Sequence, residues 1–197
     1  MPPTNDSSDQ VWVRVEVCAQ FAELLTFSQN PEQLFRLNPY YEIRHWQWQS
    51  PEHASVEFYN HSNQQLVKTE LVLEPIANGW ICHYRSGIKV RTSCEISAEA
   101  AGSVLQITEE YADFSDEEKQ TRLAEVDKSL NAWAHGIQAY FHSLERFSWL
   151  PGWRLYRSTI WLHMKPSARR IVFLLFWMTF ADLLLFLVVW AFFLLES

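Results

Sequence analysis

IKVRTSCEI, residues 88–96, alternates apolar and polar side chains without a break. Ile88, Val90, Thr92, Cys94 and Ile96 fall on one side; Lys89, Arg91, Ser93 and Glu95 fall on the other. Period two marks a strand with one buried and one wet face. A sheet with one wet face is antiparallel, because parallel sheets are covered on both sides. The neighbouring sequence repeats the theme. Strand-like runs at residues 41–49, 54–59, 66–74, 80–84 and 104–111 are separated by Ser50-Pro51, Asn60-His61-Ser62-Asn63, Pro75 with Asn78-Gly79, Ser86-Gly87, and a turn containing Gly102. A further strand, VWVRVEV, is expected at residues 11–17. Helical spacing follows at residues 19–27. Asn30-Pro31 then starts a second short helix, residues 32–37, which Asn38-Pro39 closes.

After the last strand the period changes. Ser115 with Glu118 three residues on forms a capping box. Leu123, Val126, Leu130, Trp133, Ile137, Tyr140 and Leu144 then step by three and four until Pro151-Gly152 stops the pattern. At 1.5 Å per residue this is one apolar stripe about 20 Å or more in length. The buried face of the sheet is the large surface available to cover it. An α+β fold follows, a curved antiparallel sheet around a long C-terminal helix. Residues 1–10, rich in Pro, Asn, Asp and Ser, have nothing to bury and are expected to be disordered.

Residues 171–195, IVFLLFWMTFADLLLFLVVWAFFLL, form a second kind of segment. About 20 apolar residues cross a bilayer, so this stretch is long enough with some tilt. Eighteen of its 25 residues are Ile, Val, Leu or Phe. Those contribute about −5 to −11 kcal/mol to insertion, against about +3 for the one central acid, Asp182. A transmembrane helix is expected. Arg169 and Arg170, with Lys165 behind them, flank its N-terminal end, which the positive-inside rule assigns to the cytoplasm. The N-terminus has neither the basic start nor the apolar run of a signal peptide. A tail-anchored, single-pass protein of the inner cell membrane is the expectation, with residues 11–149 in the cytoplasm.

Charge and cysteine usage agree. Net charge is −7, but residues 146–170 carry six basic and no acidic side chains. An acidic body above a basic collar excludes nucleic acid as the natural partner and favours anionic lipid headgroups. Trp149, Trp153, Arg154, Tyr156, Arg157, Trp161, Lys165, Arg169 and Arg170 compose this collar. The spacing Trp153, Tyr156, Ile160, Met164 is one helical face, read as lying in the headgroup plane across residues 150–170. Cys18, Cys82 and Cys94 are an odd set without CxxC spacing, so reduced thiols are expected. His135 and His142 share a side of the long helix and fit a solvated flank; no metal or other cofactor is expected. Intramembrane acids usually face protein, so Thr179 and Asp182 are read as contacts to another integral membrane subunit.

The strand at residues 11–17, the run Asn30-Pro31-Glu32-Gln33-Leu34-Phe35 leading to Asn38-Pro39, the six later strands and the capped helix together resemble the START-like, or polyketide-cyclase-like (SRPBCC), superfamily with its helix-grip fold. The stretches Glu125–Leu130, Leu150–Trp153 and Met164–Arg170 are similar to a membrane-attached bacterial branch of it. What the resemblance implies is a cavity between sheet and long helix for an apolar small molecule, often a lipid, sterol or polyketide. Many relatives bind without chemistry; a cyclase or dehydratase type of enzyme is the alternative. Residues assigned to the cavity are His45, Tyr84, Thr92, Cys94, Glu109, Tyr111, Trp133 and Ile137. Glu109 shares a face with Leu105, Ile107 and Tyr111, and a carboxyl on a buried face has the raised pKa of a general acid or base. Val104, Gln106, Thr108 and Glu110 form the competing face. His45 shares a face with Ile43 by simple alternation. No GxGxxG, P-loop, GxSxG or HExxH motif occurs, and no catalytic residue is assigned.

Overall fold

The computed structural model describes residues 9–99, 102–112 and 116–196. The chain divides into two compact units, residues 1–163 and 164–197. The proposed cap residue Ser115, the Glu118, Leu123 and Val126 side chains and most of residues 1–10 lie outside the described part.

In the first unit seven strands form one sheet: β1 (Asp9–Val17), β2 (Tyr41–Ser50), β3 (His53–Asn60), β4 (Gln65–Ile76), β5 (Gly79–Tyr84), β6 (Lys89–Glu99) and β7 (Gly102–Tyr111). Their order is β1-β7-β6-β5-β4-β3-β2, antiparallel throughout. Hairpins join β2 to β7 in sequence, and β1 closes onto β7 from the far side. The helices α1 (Phe21–Ser28) and α2 (Pro31–Arg36) fill the connection that this closure requires. Asn30 caps α2, accepting from the Glu32 amide at 3.2 Å, with Pro31 at the first helical position. The long helix α3 (Asp116–Arg146) packs across the inner face. β4 runs past Pro75 to Ile76, beyond the break read from the proline.

The inner face is one apolar surface. Val15, Leu105, Ile96 and Cys94 meet Val56, Leu71 and Phe58 from the other half of the sheet, and Leu130, Trp133, Ile137, Tyr140 and Leu144 of α3 cover them. Two buried indoles tie the short helices down. Trp80 donates to the Ser28 carbonyl at 2.8 Å and Trp133 to the Leu34 carbonyl at 2.7 Å. The Ser28 carbonyl lies at the end of α1, and the Leu34 carbonyl near the end of α2 accepts the indole beside the Leu37 amide at 3.0 Å. α3 comes so close to the α2–β2 connection at Gly136 that a Cβ there would overlap the Leu37 carbonyl. In an open helix Gly→Ala gains about 1 kcal/mol. Here the sign is expected to reverse: Gly136→Ala lowers the thermal unfolding midpoint. A raised midpoint would show that α3 has room to spare.

After α3 the chain packs back on its own unit through α4 (Trp153–Leu155), a π turn (Tyr156–Ile160) and a 3₁₀ turn (Trp161–His163). This revises the collar. The face that packs is Trp153, Arg157, Trp161 and Leu162, with Leu162 and Arg157 buried. Trp153 donates to the Ser143 carbonyl at 2.9 Å and Trp161 lies 6.0 Å from the Tyr140 ring. The Tyr156 ring meets Trp153 at a tilt, 5.6 Å between centroids. The expected face assumed regular 3.6-residue spacing; the π turn takes a wider step and rotates the residues beyond it. Trp149, Leu155 and Ile160 are the large apolar side chains left exposed in this segment, with Arg154 paired to Glu23 at 2.8 Å.

The second unit is α5 (Pro166–Glu196). The helix Pro166–Leu195 contains an 18-residue window of mean hydropathy 2.5 and is long and apolar enough to cross a membrane. Arg170 is exposed at its basic end, and Lys165 and Arg169 precede the apolar run. The Thr179 hydroxyl donates to the Leu175 carbonyl at 2.9 Å, one turn back, and Asp182 is exposed.

Candidate functional site

Two β-bulges decide which polar groups enter the interior. A bulge adds one residue to a strand and reverses the facing of everything beyond it. In β6 the register with β7 slips between Lys89 and Arg91. Thr92 pairs with Glu109 on the inner face, Arg91 with Glu110 on the outer, and Lys89 then pairs with Tyr111, again on the inner face. Val90, an inner residue by strict alternation, is the extra one and is exposed. In β2 the slip lies between Ile43 and His45. It sends His45 to the outer face beside Glu57 and brings Trp46 inward against Phe35, 5.5 Å between rings. His45 is therefore not part of the interior; its ring meets Gln47 at 3.2 Å in solvent.

The result is a buried polar cluster under α3. Glu109 is 2% exposed. One carboxylate oxygen accepts from the Lys89 ammonium and the other from the Tyr111 hydroxyl. Lys89 also donates to the Tyr41 hydroxyl at 2.8 Å and lies over the Tyr41 and Tyr111 rings, 5.5 and 5.8 Å from their centroids. Tyr41 reaches Ser129, a buried residue of α3. Beside this group Tyr84 and Thr92 share a hydrogen bond at 3.0 Å. Trp133 and Ile137 wall the interior from α3, and Cys94 from the sheet, all buried.

Electrostatics follow from this burial. Desolvation opposes the Lys89 ammonium, but the Glu109 carboxylate and the Tyr41 phenol outweigh it and hold its pKa above the ordinary lysine value. Burial raises Tyr111, and the Glu109 charge raises it further. Burial likewise raises Tyr84 and Tyr41. These shifts keep Lys89 charged and the three phenols neutral around neutral pH. Each Glu109 oxygen accepts one hydrogen bond, from Lys89 and Tyr111 respectively, inside an interior that leaves the carboxylate 2% exposed.

Of the residues read from the sequence, Tyr84, Thr92, Glu109 and Tyr111 come together here, Cys94, Trp133 and Ile137 line the apolar part nearby, and His45 lies outside. Lys89, Tyr41 and Ser129 complete the group and were not anticipated. Lys89 was hidden by the bulge. Tyr41 was legible in part, as the residue that follows the Asn38-Pro39 stop and opens a strand. Two described concavities, about 370 Å³ beside His45, Glu57 and Lys68 and about 450 Å³ beside Arg14, Glu95 and Gln106, open at the outer face. Neither belongs to the cluster.

No protein-family model and no curated protein matches this sequence. Solved structures do match its shape. A START superfamily protein from Mycobacterium smegmatis is similar at TM-score 0.58 and 13% identity, over 68% of this chain and 98% of that one. The protein XoxI from Bacillus cereus is similar at TM-score 0.52 and 11% identity, over 69% and 97%. The di-domain ARO/CYC protein BexL, from a biosynthetic pathway, is similar at TM-score 0.51 and 8% identity, over 68% of this chain and 50% of that one. At these identities the likeness is one of fold, and that fold is the START-like helix grip, an antiparallel sheet closed around the long helix α3.

Proposed function

We propose that this chain is a membrane-tethered START-like module that holds a hydrophobic ligand or lipid at the cytoplasmic face of the membrane and performs no chemistry on it. The observation that carries the reading is the Lys89–Glu109 pair with its tyrosines, set in the apolar interior under α3. Burying an ion pair costs several kcal/mol per ion, and apolar side chains of the same volume often pack as stably. A few convergent polar groups in an apolar lining are what recognition of an apolar molecule with one polar end requires. The match to a START superfamily protein and to an ARO/CYC protein is consistent with such a use of the interior. The cyclase or dehydratase alternative is less favoured, because Glu109 is 2% exposed and tied to the Lys89 ammonium and the Tyr111 hydroxyl.

The tether in this reading is α5, crossing the membrane once. Arg169 and Arg170 at its start support a cytoplasmic START-like unit in this reading, with Trp149, Arg154, Leu155 and Ile160 offered to lipid headgroups. One observation favours an additional role as accessory subunit of a membrane complex. The Thr179 hydroxyl proton is directed at Leu175 and not at Asp182, so the acid keeps its bonding capacity for a group on another integral membrane protein. Asp182→Leu is expected to reduce co-purification of that subunit in mild detergent; unchanged recovery would remove the accessory role.

Ligand holding is tested by extracting the full chain from lipid nanodiscs and identifying co-extracted lipophilic molecules by mass spectrometry. Lys89→Met/Glu109→Leu serves as the control. A species enriched in the native chain and depleted about tenfold in the double variant, equivalent to about 1.4 kcal/mol of binding, is expected. Identical extracts from both would count against the proposal, since annular lipid around α5 is common to them.

A further inference from the structure

We propose that Cys18, His142 and Glu145 form a surface site for a zinc-class divalent metal ion, with three protein ligands and a fourth position open to water. The three donor atoms, a sulfur, an imidazole nitrogen and a carboxylate oxygen, lie within 4.8 Å of one another. They come from far apart in the sequence. Cys18 directly follows β1, while His142 and Glu145 sit three apart on one face of α3. One turn earlier on α3, Gln138 donates to the Glu16 carbonyl at 3.4 Å, so this part of the helix is already fixed along the end of β1.

The donor set selects the ion. Calcium and magnesium take oxygen ligands, whereas a thiolate with imidazole and carboxylate suits zinc and its neighbours. Bonds of about 2.0–2.3 Å place tetrahedral ligands about 3.3–3.8 Å apart. Closing from 4.8 Å needs a side-chain movement of about 1 Å, which three exposed side chains can make without shifting the backbone. Burial and the neighbouring Glu145 carboxylate favour the protonated Cys18 thiol. On binding, that proton leaves to solvent and the metal takes its place between sulfur and oxygen. Exposure leaves the fourth position to water. The mechanical consequence is a clip: β1 is an edge strand of the sheet, and the metal fastens its end to the helix that covers the interior, which stabilises the folded state by mass action.

The test uses the reduced, chelator-treated full chain in detergent, titrated with cobalt(II). One equivalent is expected to produce a near-ultraviolet thiolate-to-cobalt band that zinc(II) then removes. Cys82 and Cys94 are buried, and burial pushes the Cys82 thiol up to about 12, so the band should vanish in Cys18→Ser. His142→Ala and Glu145→Gln, both at exposed positions, should each weaken cobalt binding at least about tenfold. Zinc should raise the thermal midpoint of the native chain and leave that of Cys18→Ser unchanged. No band at one equivalent would overturn the site, as would a band that persists in Cys18→Ser. Undiminished affinity in both His142→Ala and Glu145→Gln would do the same, showing a thiol that binds metal alone.

Discussion

Glu109→Leu is expected to destabilise the START-like unit by about 3–5 kcal/mol, because it leaves the Lys89 ammonium buried without its counter-charge. Lys89→Met is expected to cost a similar amount for the mirror reason. The double variant Lys89→Met/Glu109→Leu should recover much of the loss. It removes both charges together, and the remaining cost is the lost partners of the Tyr41 and Tyr111 hydroxyls. Urea unfolding of the full chain, followed by tryptophan fluorescence, gives the double-mutant cycle. A coupling of about 2 kcal/mol or more is expected, within the range for residues in one network; additive single losses would show that the two groups do not act as a pair. The pH dependence has a definite sign. The Lys89 pKa is raised above its ordinary 10.5, so its contribution is complete below pH 10.5 and fades only as pH rises through the higher folded value. Stability from Lys89 should be level between pH 6 and 9, a window that lies wholly below the ordinary 10.5.

Trp133→Ala should have the other large effect, a loss of about 3–5 kcal/mol. The indole is buried among Phe35, Tyr41 and the inner face of the sheet, at 5.3 and 6.4 Å from the two rings. It also donates to the Leu34 carbonyl. Trp133→Phe separates the two contributions. It keeps most of the ring and loses the hydrogen bond, for about 1–3 kcal/mol. Trp149, 73% exposed, is the matched control, and Trp149→Ala should stay within about 0.5 kcal/mol. Equal losses at Trp133 and Trp149 would mean that α3 is not packed on the sheet as described.

The architecture was legible because it rests on periodicity. Alternation in residues 88–96, turn signals between the strands and the three-and-four stripe from Leu130 to Leu144 each report burial on one side of one element, and burial is what a sequence pattern encodes. The interior polar group was legible only where alternation held. It placed Glu109 and Tyr111 with Leu105 and Ile107, as found. It misplaced Lys89 and His45, because a bulge leaves no local hydrophobic signal and reverses every facing beyond it. The packed face of the collar differs from the one read by spacing for a related reason. Its aromatic and basic composition fits a headgroup layer, but a π turn re-phases the segment, and Tyr140 and Phe141 of α3 offer Arg157 and Trp161 a surface on the unit itself. Composition reports what a side chain tolerates; the partner surface decides where it goes. The convergence of Cys18 with His142 and Glu145 was beyond sequence reading because it depends on where the far end of α3 meets β1.

If the proposed function holds, an apolar ligand occupies the interior of the START-like unit and not merely the lipid around α5. Photo-crosslinking distinguishes the two locations. The full chain in nanodiscs is labelled with a diazirine-bearing long-chain fatty acid, and the modified peptides are mapped by mass spectrometry. Labels are expected on the inner-face residues of β6 and β7 and on α3 around Trp133 and Ile137, and they should be lost in Lys89→Met/Glu109→Leu. Labels confined to residues 171–195 in both proteins would rule out an interior ligand.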